Sequence, residues 1–227
     1  MRRPTNPLTK TTFLARTLLA VVAVCLCATA SYAAPNILLI TADDLNCDSV
    51  GAFGCPVPDT TPNIDRLASE GMRFERAHVN IAVCQPCRSV WLSGRYSHRS
   101  GGEGFHTLNK PGIPLLPELL RESGYAVGIL GKVGHCTPYP TLKWDMKFDM
   151  GGLGRGRNPA IYAQRAKEFI EANKKAGRPF FLMANSHDPH RPFYGNDGYK
   201  DYGAANGPQP PTKIFKPADV AVPGFLP

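Results

Sequence analysis

Residues able to do acid–base, metal or nucleophilic chemistry fall in four short runs: Asp43-Asp44, Cys84-Gln85-Pro86-Cys87-Arg88, Gly131-Lys132-Val133-Gly134-His135 and His187-Asp188-Pro189-His190-Arg191. Adjacent carboxylates repel, so a site that keeps Asp43 and Asp44 both ionised calls for a hard cation with oxygen ligands, calcium or magnesium. The plainer alternative has one Asp capping the next segment and the other solvated. Cys84, followed by Pro86 and Arg88, sits where a helix begins, and a helix N-terminus beside a guanidinium stabilises an anionic nucleophile or ligand. A buried structural cysteine is the competing reading. The spacing of Cys84 and Cys87 also suits a disulfide or half a zinc site, but no second Cys pair or His-x-His completes a tetrahedral set.

Three of these runs share one position relative to the elements that must hold them. Residues 36–41, 125–130 and 179–185 are short, continuously apolar runs, as expected of strands covered on both faces, and each is followed at once by chemistry-bearing residues. Helical patterns alternate with them. Thr61-Pro62 opens a helix that stops at Gly71, a second runs from near Pro86 towards Gly94, and residues 115–122 form a third, closed by Gly124. Asn158-Pro159 caps a fourth, with Tyr162, Ala166, Phe169 and Ile170 on one face, ending near Gly177. The alternation predicts an α/β sandwich with a mostly parallel sheet, whose strand carboxyl ends line one edge where ligands bind. The glycine-rich stretch 151–156 is neither fed by a strand nor opened into a helix, which argues against a dinucleotide loop.

The 227 residues are 43% apolar, enough for a real core. Arg2, Arg3, Lys10 and Arg16 precede an apolar run over 17–30 and the small-residue sequence Ser31-Tyr32-Ala33. This predicts a signal peptide over residues 1–33, cleaved near Ala33, and export to the periplasm or the extracellular space. The run is shorter than the roughly 20 residues that a membrane anchor needs. Four basic residues leave with that segment, so 22 basic residues face 18 acidic ones in the remainder and the formal charge falls from +8 to +4. The remaining cations are scattered, which speaks against nucleic acid as a partner and leaves a mild attraction to anionic substrates. Five cysteines remain, namely Cys47, Cys55, Cys84, Cys87 and Cys136. An odd count in an oxidising compartment leaves at least one unpaired or modified, while Cys47 and Cys55 are placed to close a short loop.

Cys84-x-Pro86-x-Arg88 followed by Ser93-Gly94-Arg95 resembles the signature of the sulfatase family. Asp43-Asp44, residues 61–68, Gly131-Lys132 and His187-Asp188-Pro189-His190-Arg191 match that family in the same order. Arg178-Pro179-Phe180-Phe181-Leu182 and Asp219-Val220-Ala221-Val222-Pro223 make it most similar to the heparan N-sulfatase (sulfamidase) branch. The resemblance implies an alkaline-phosphatase-like α/β fold, of which residues 34–227 are the N-terminal part. It implies hydrolysis of sulfate esters or sulfamates of glycosaminoglycan sugars, a formylglycine made from Cys84 by a maturation enzyme, and one calcium (or magnesium) ion held by Asp43, Asp44 and residue 84. Arg88 would stabilise the hydrated aldehyde, Lys132 a sulfate oxygen, and His135 would accept a proton. His187 would protonate the leaving group, with His190 and Arg191 near the substrate. The oligomeric state is open.

Two features depart from the family pattern. Cys87 stands where serine is usual, which weakens recognition by the maturation enzyme or permits a Cys84–Cys87 disulfide. Lys132 and His135 are separated by two residues where one is common. Sulfatases are also about twice this long and carry a later Asp-Asn pair at the metal, so this chain is expected to be truncated, marginally stable and inactive alone. The competing functions are a non-catalytic remnant that only binds anionic glycans, and a phosphatase or phosphodiesterase of the same superfold, against which Cys84 argues.

Overall fold

The computed structural model describes residues 34–107, 109–136, 142–195 and 202–220; the expected signal peptide lies outside them. From Asn36 onward the chain forms one compact unit. Its centre is a four-stranded parallel sheet built from β1 (Ile37–Asp43), β2 (Ala126–Leu130), β3 (Met146–Phe148) and β4 (Phe180–Pro189), in the order β1-β4-β2-β3. The helices are α1 (Pro62–Glu70), α2 (Cys84–Ser93), α3 (Ser97–Ser100), α4 (Leu116–Glu122) and α5 (Pro159–Lys175). Asn158 caps α5 by accepting from Ile161 N at 3.3 Å, and Pro159 takes the first helical position, where its missing N–H costs nothing.

The strand alternation sorts the core into two layers. Val127, Ile129, Phe181 and Met183 pack with Leu92 of α2, Leu115 and Tyr125 on one face. Ala126, Leu130, Phe180 and Leu182 pack with Phe169 of α5 and Leu153 on the other. Helices therefore cover both faces of β2 and β4, as their continuous apolar runs require.

β1 departs from that expectation. It lies at the edge of the sheet, and although Ile37 and Leu39 pack into the first layer, Leu38 and Ile40 are 50% and 66% exposed. The reason is that α5 lies over β2 and β4, so the second face of β1 borders an open apolar groove of about 390 Å³ shared with Tyr162, Ala166 and Ala184. Two further boundaries differ. β4 runs on to Pro189, because it stays paired with β1 past a bulge between Ala42 and Asp43, so His187 and Asp188 belong to a strand. Helix α2 begins at Cys84 rather than near Pro86: extended Val83 accepts from Cys87 N at 3.0 Å, and Pro86 falls in the first turn, where the N–H it lacks would have no partner.

Candidate active site

Asp43 ends β1 and is 4% exposed; Asp44 follows with φ +59°, a left-handed turn that a short polar side chain tolerates. At the end of β2, Gly131 and Lys132 both take left-handed backbone, φ +71° and +54°. A Cβ on Gly131 would run into Asn185 O and the Tyr162 hydroxyl, so glycine is required there. The turn brings the buried Lys132 ammonium into an ion pair with Asp43 Oδ2. Arg88, on the second turn of α2 and 2% exposed, reaches under the strand ends. Its Nη2 lies 3.9 Å from Asp43 Oδ1, and its Nη1 donates to Asn185 Oδ1 at 2.5 Å and to Thr41 Oγ1 at 3.2 Å.

These residues line two neighbouring cavities. A cleft of about 260 Å³ holds Asp43, Asp44, Cys84, Cys87 and Arg88. A second, of about 290 Å³, holds Lys132, His135, His187, His190 and Arg191, together with Asp149. The Asp43–Lys132 pair joins one to the other, and His190 Nε2 stands 3.7 Å from Asp44 Oδ2. Every residue singled out in the sequence for catalysis or metal binding therefore lies in one of the two. His135 is further enclosed by Phe105 and His106, with ring centroids at 5.0 and 5.8 Å. The loop carrying those rings is clamped by Gln85: His106 N donates to Oε1, and Nε2 donates to Thr107 O at 3.0 Å.

The electrostatics separate the roles. Burial alone would raise the Asp43 carboxyl, but the hydrogen bond and charge of Lys132, with Arg88 and His190, outweigh it and hold the group below its usual range. Burial, then the positive charges of Lys132 and Arg157, push His187 down to about 4, and burial with Lys132 and Arg88 lowers His135. Both imidazoles are thus neutral at pH 7. Burial raises the Cys136 thiol to about 11 and raises Cys87, leaving both protonated. All five cysteines described are free thiols, so neither the Cys47–Cys55 pair nor the Cys84–Cys87 pair is formed, and Cys84 is half-buried on the cleft wall.

Asp43 and Asp44 are hard oxygen donors of the kind calcium or magnesium takes. Their number falls short: calcium prefers roughly 6–8 oxygens, and among the described residues no group of three or more His, Cys, Asp or Glu is placed to hold a metal. Asp43 and Asp44 by themselves therefore do not make up a calcium or magnesium site among the described residues.

Four residues that line the cavities or brace their walls went unread in the sequence. Asn185 looked like the polar end of an apolar run, Asp149 follows a strand of three residues, and Thr41 and Arg157 carry no motif. Only Asn185, a carboxamide closing the apolar run of a strand buried on both faces, offered a usable signal, since such a group needs partners.

Comparison with known proteins bears on the family to which the chain belongs. The family described as Sulfatase matches residues 35–214. The chain is 32% identical to the N-acetylgalactosamine-6-sulfatase of Canis lupus familiaris, over 75% of this chain and 44% of that protein. It is also 32% identical to the N-sulphoglucosamine sulphohydrolase of Homo sapiens, over 85% of this chain and 41% of that protein. A protein solved in complex with its substrate D-glucosamine-2-N,6-O-disulfate superposes with a TM-score of 0.60 at 25% identity, covering 69% of this chain and 35% of that one. The chain thus spans about two-fifths of the length of the curated relatives it matches. With an alkaline-phosphatase-like α/β fold and the Sulfatase family matched over residues 35–214, the chain belongs to the sulfatase family.

Proposed function

We propose that this chain carries the nucleophile-bearing part of a sulfatase site that hydrolyses sulfate esters or sulfamates of glycosaminoglycan-type sugars, with a formylglycine made from Cys84. The observation that carries the reading is the meeting of Cys84, Asp43 and Arg88 in one cleft, joined through the Asp43–Lys132 pair to His135 and His187. A hydrated aldehyde at position 84 supplies a hydroxyl nucleophile and a route to expel sulfate by re-forming the aldehyde. Pro86 and Arg88 are buried, so a maturation enzyme that reads this signature meets it before the chain folds.

The chain's own residues do the rest. Arg88, fixed by Asn185 and Thr41, presents positive charge beneath residue 84, and Lys132 offers its ammonium to a sulfate oxygen in exchange for part of its bond to Asp43. Neutral His135 is in the right state to accept a proton. His187 is neutral in the free chain first because it is buried and then because Lys132 and Arg157 repel a proton from it; a bound sulfate offsets that positive charge, raises its basicity and favours its role as proton donor to the leaving oxygen or nitrogen. Asp43 and Asp44 would hold a calcium or magnesium ion that stabilises negative charge on sulfate, once oxygen ligands from outside the described residues complete it.

The solved relative bound to D-glucosamine-2-N,6-O-disulfate supports N- or O-sulfated glucosamine as the substrate class. The apolar segment before Ala33 supports export. The incomplete donor set favours one second reading, binding of an anionic glycan without turnover. Sulfate release from N-sulfated and 6-O-sulfated glucosamine decides between them, using protein purified from its native host beside a Cys84→Ala variant. Release that the variant loses supports hydrolysis, and glycan binding without release in both supports the second reading.

A further inference from the structure

The glycine-rich stretch 151–156 has no part in the reading above, yet its last residue backs directly onto His187. Gly156 has φ +77°, which L side chains rarely adopt, and a Cβ there would stand 2.5 Å from Cγ and Cε1 of the His187 ring and closer still to Nδ1. The backbones are joined as well, since His187 N donates to Gly156 O at 3.2 Å.

Arg157, 5% exposed, extends the grip along the strand: Nη1 donates to Asp188 Oδ1 and Nη2 to His190 O at 2.5 Å. The loop is itself anchored. Arg157 N and Asn158 N donate to the carbonyl of Leu153, a fully buried core residue, at 3.2 and 3.3 Å, and Gln209 N donates to Arg157 O at 3.1 Å. Core packing at Leu153 is thereby transmitted, through two residues, to an imidazole on the cavity wall.

We propose that Gly156 and Arg157 are positioning residues that form the seat of His187, Gly156 by offering a bare backbone for the ring to lie against and Arg157 by pinning the strand segment on either side of it. Gly156 then serves an imidazole, not a nucleotide phosphate. The value of that seat for catalysis rests on His187 as the proton donor.

Diethyl pyrocarbonate, which acylates neutral imidazole, reads the seat without needing turnover, because His187 is neutral at pH 7 and only access limits it. Peptide mapping of the full chain should show His187 reacting far more slowly than exposed His98. Overfilling a packed site displaces the neighbour, so Gly156→Ala should speed acylation of His187 by about tenfold or more. Gly177→Ala carries the same left-handed strain at φ +63° with open space around it, and should leave His187 unchanged. An unchanged rate in Gly156→Ala overturns the seat. Should that variant fail to fold, Arg157→Gln decides, with faster acylation of His187 expected and an unchanged rate contradicting the proposal.

A sulfate-releasing preparation separates the seat from the reaction. Loss of a placed proton donor should lower kcat on an alkyl sulfate more than on a nitrophenyl sulfate, with KM little changed. Faster acylation with equal losses on both substrates keeps the seat and overturns the proton-donor role. A native protein that releases no sulfate overturns the hydrolase reading, while the acylation rates still decide the seat.

Discussion

Arg88 Nη1 and Thr41 Oγ1 both donate to Oδ1 of Asn185, at 2.5 and 2.7 Å, while Asn185 Nδ2 donates to the carbonyls of Leu130 and Gly131 at 3.2 and 3.0 Å. One fully buried carboxamide therefore ties β1, β2 and β4 to α2 beneath the cleft. Asn185→Ala leaves a guanidinium short of an acceptor and two carbonyls short of a donor. With each orphaned buried group costing about 1–3 kcal/mol, the three together put the loss at about 3 kcal/mol or more, read as a lower urea midpoint at unchanged slope.

Lys132 and Asp43 are both buried, and removing one partner strands the other. Lys132→Met should cost about 3–5 kcal/mol, with Arg88 at 3.9 Å compensating part of it. Lys132→Met combined with Asp43→Asn should recover only part of that loss, since the second change also takes from buried Arg88 its carboxylate partner at 3.9 Å. A double-mutant cycle by denaturant unfolding measures the coupling.

The two lowered imidazoles set a pH dependence. His187 titrates at about 4 in the folded chain against 6.5 ordinarily, so the unfolded chain binds more protons between those values. Its contribution, on the order of 3 kcal/mol at most, is fully present above pH 6.5 and is lost as pH falls towards 4. His135, also lowered, acts in the same direction, and Asp43 adds a loss only below its ordinary value of 3.8. The melting temperature should fall steadily from pH 7 to 4, and His187→Gln should flatten that slope.

Much of this architecture was readable because three strands are continuously apolar, two of them buried on both faces, and because chemistry-bearing residues stand at or just beyond the end of each. An apolar run, however, looks the same whether a helix covers its second face or leaves it open, so the edge position of β1 could not be read from Ile37 to Ile40. β3, three residues long, offers too few positions for any period. The seat of His187 was invisible for a different reason: Gly156 and His187 are neighbours only once α5 has carried the chain across the sheet.

That open face of β1 is itself testable. Ile40→Thr should change stability by no more than about 0.5 kcal/mol, as at other exposed positions, and should reduce self-association at high concentration. Leu182→Ala, two strands into the core, should cost about 2–5 kcal/mol. Thermal denaturation with light scattering checks both.

The central claim is that Cys84 is the precursor of the nucleophile. Mass spectrometry of the peptide containing residue 84, taken from protein made in the native host, tests it most directly. The account predicts a peptide lighter by the difference between a thiol-bearing side chain and an aldehyde, and absent from a Cys84→Ala variant. An unmodified thiol at position 84, or a disulfide joining it to Cys87, would contradict it.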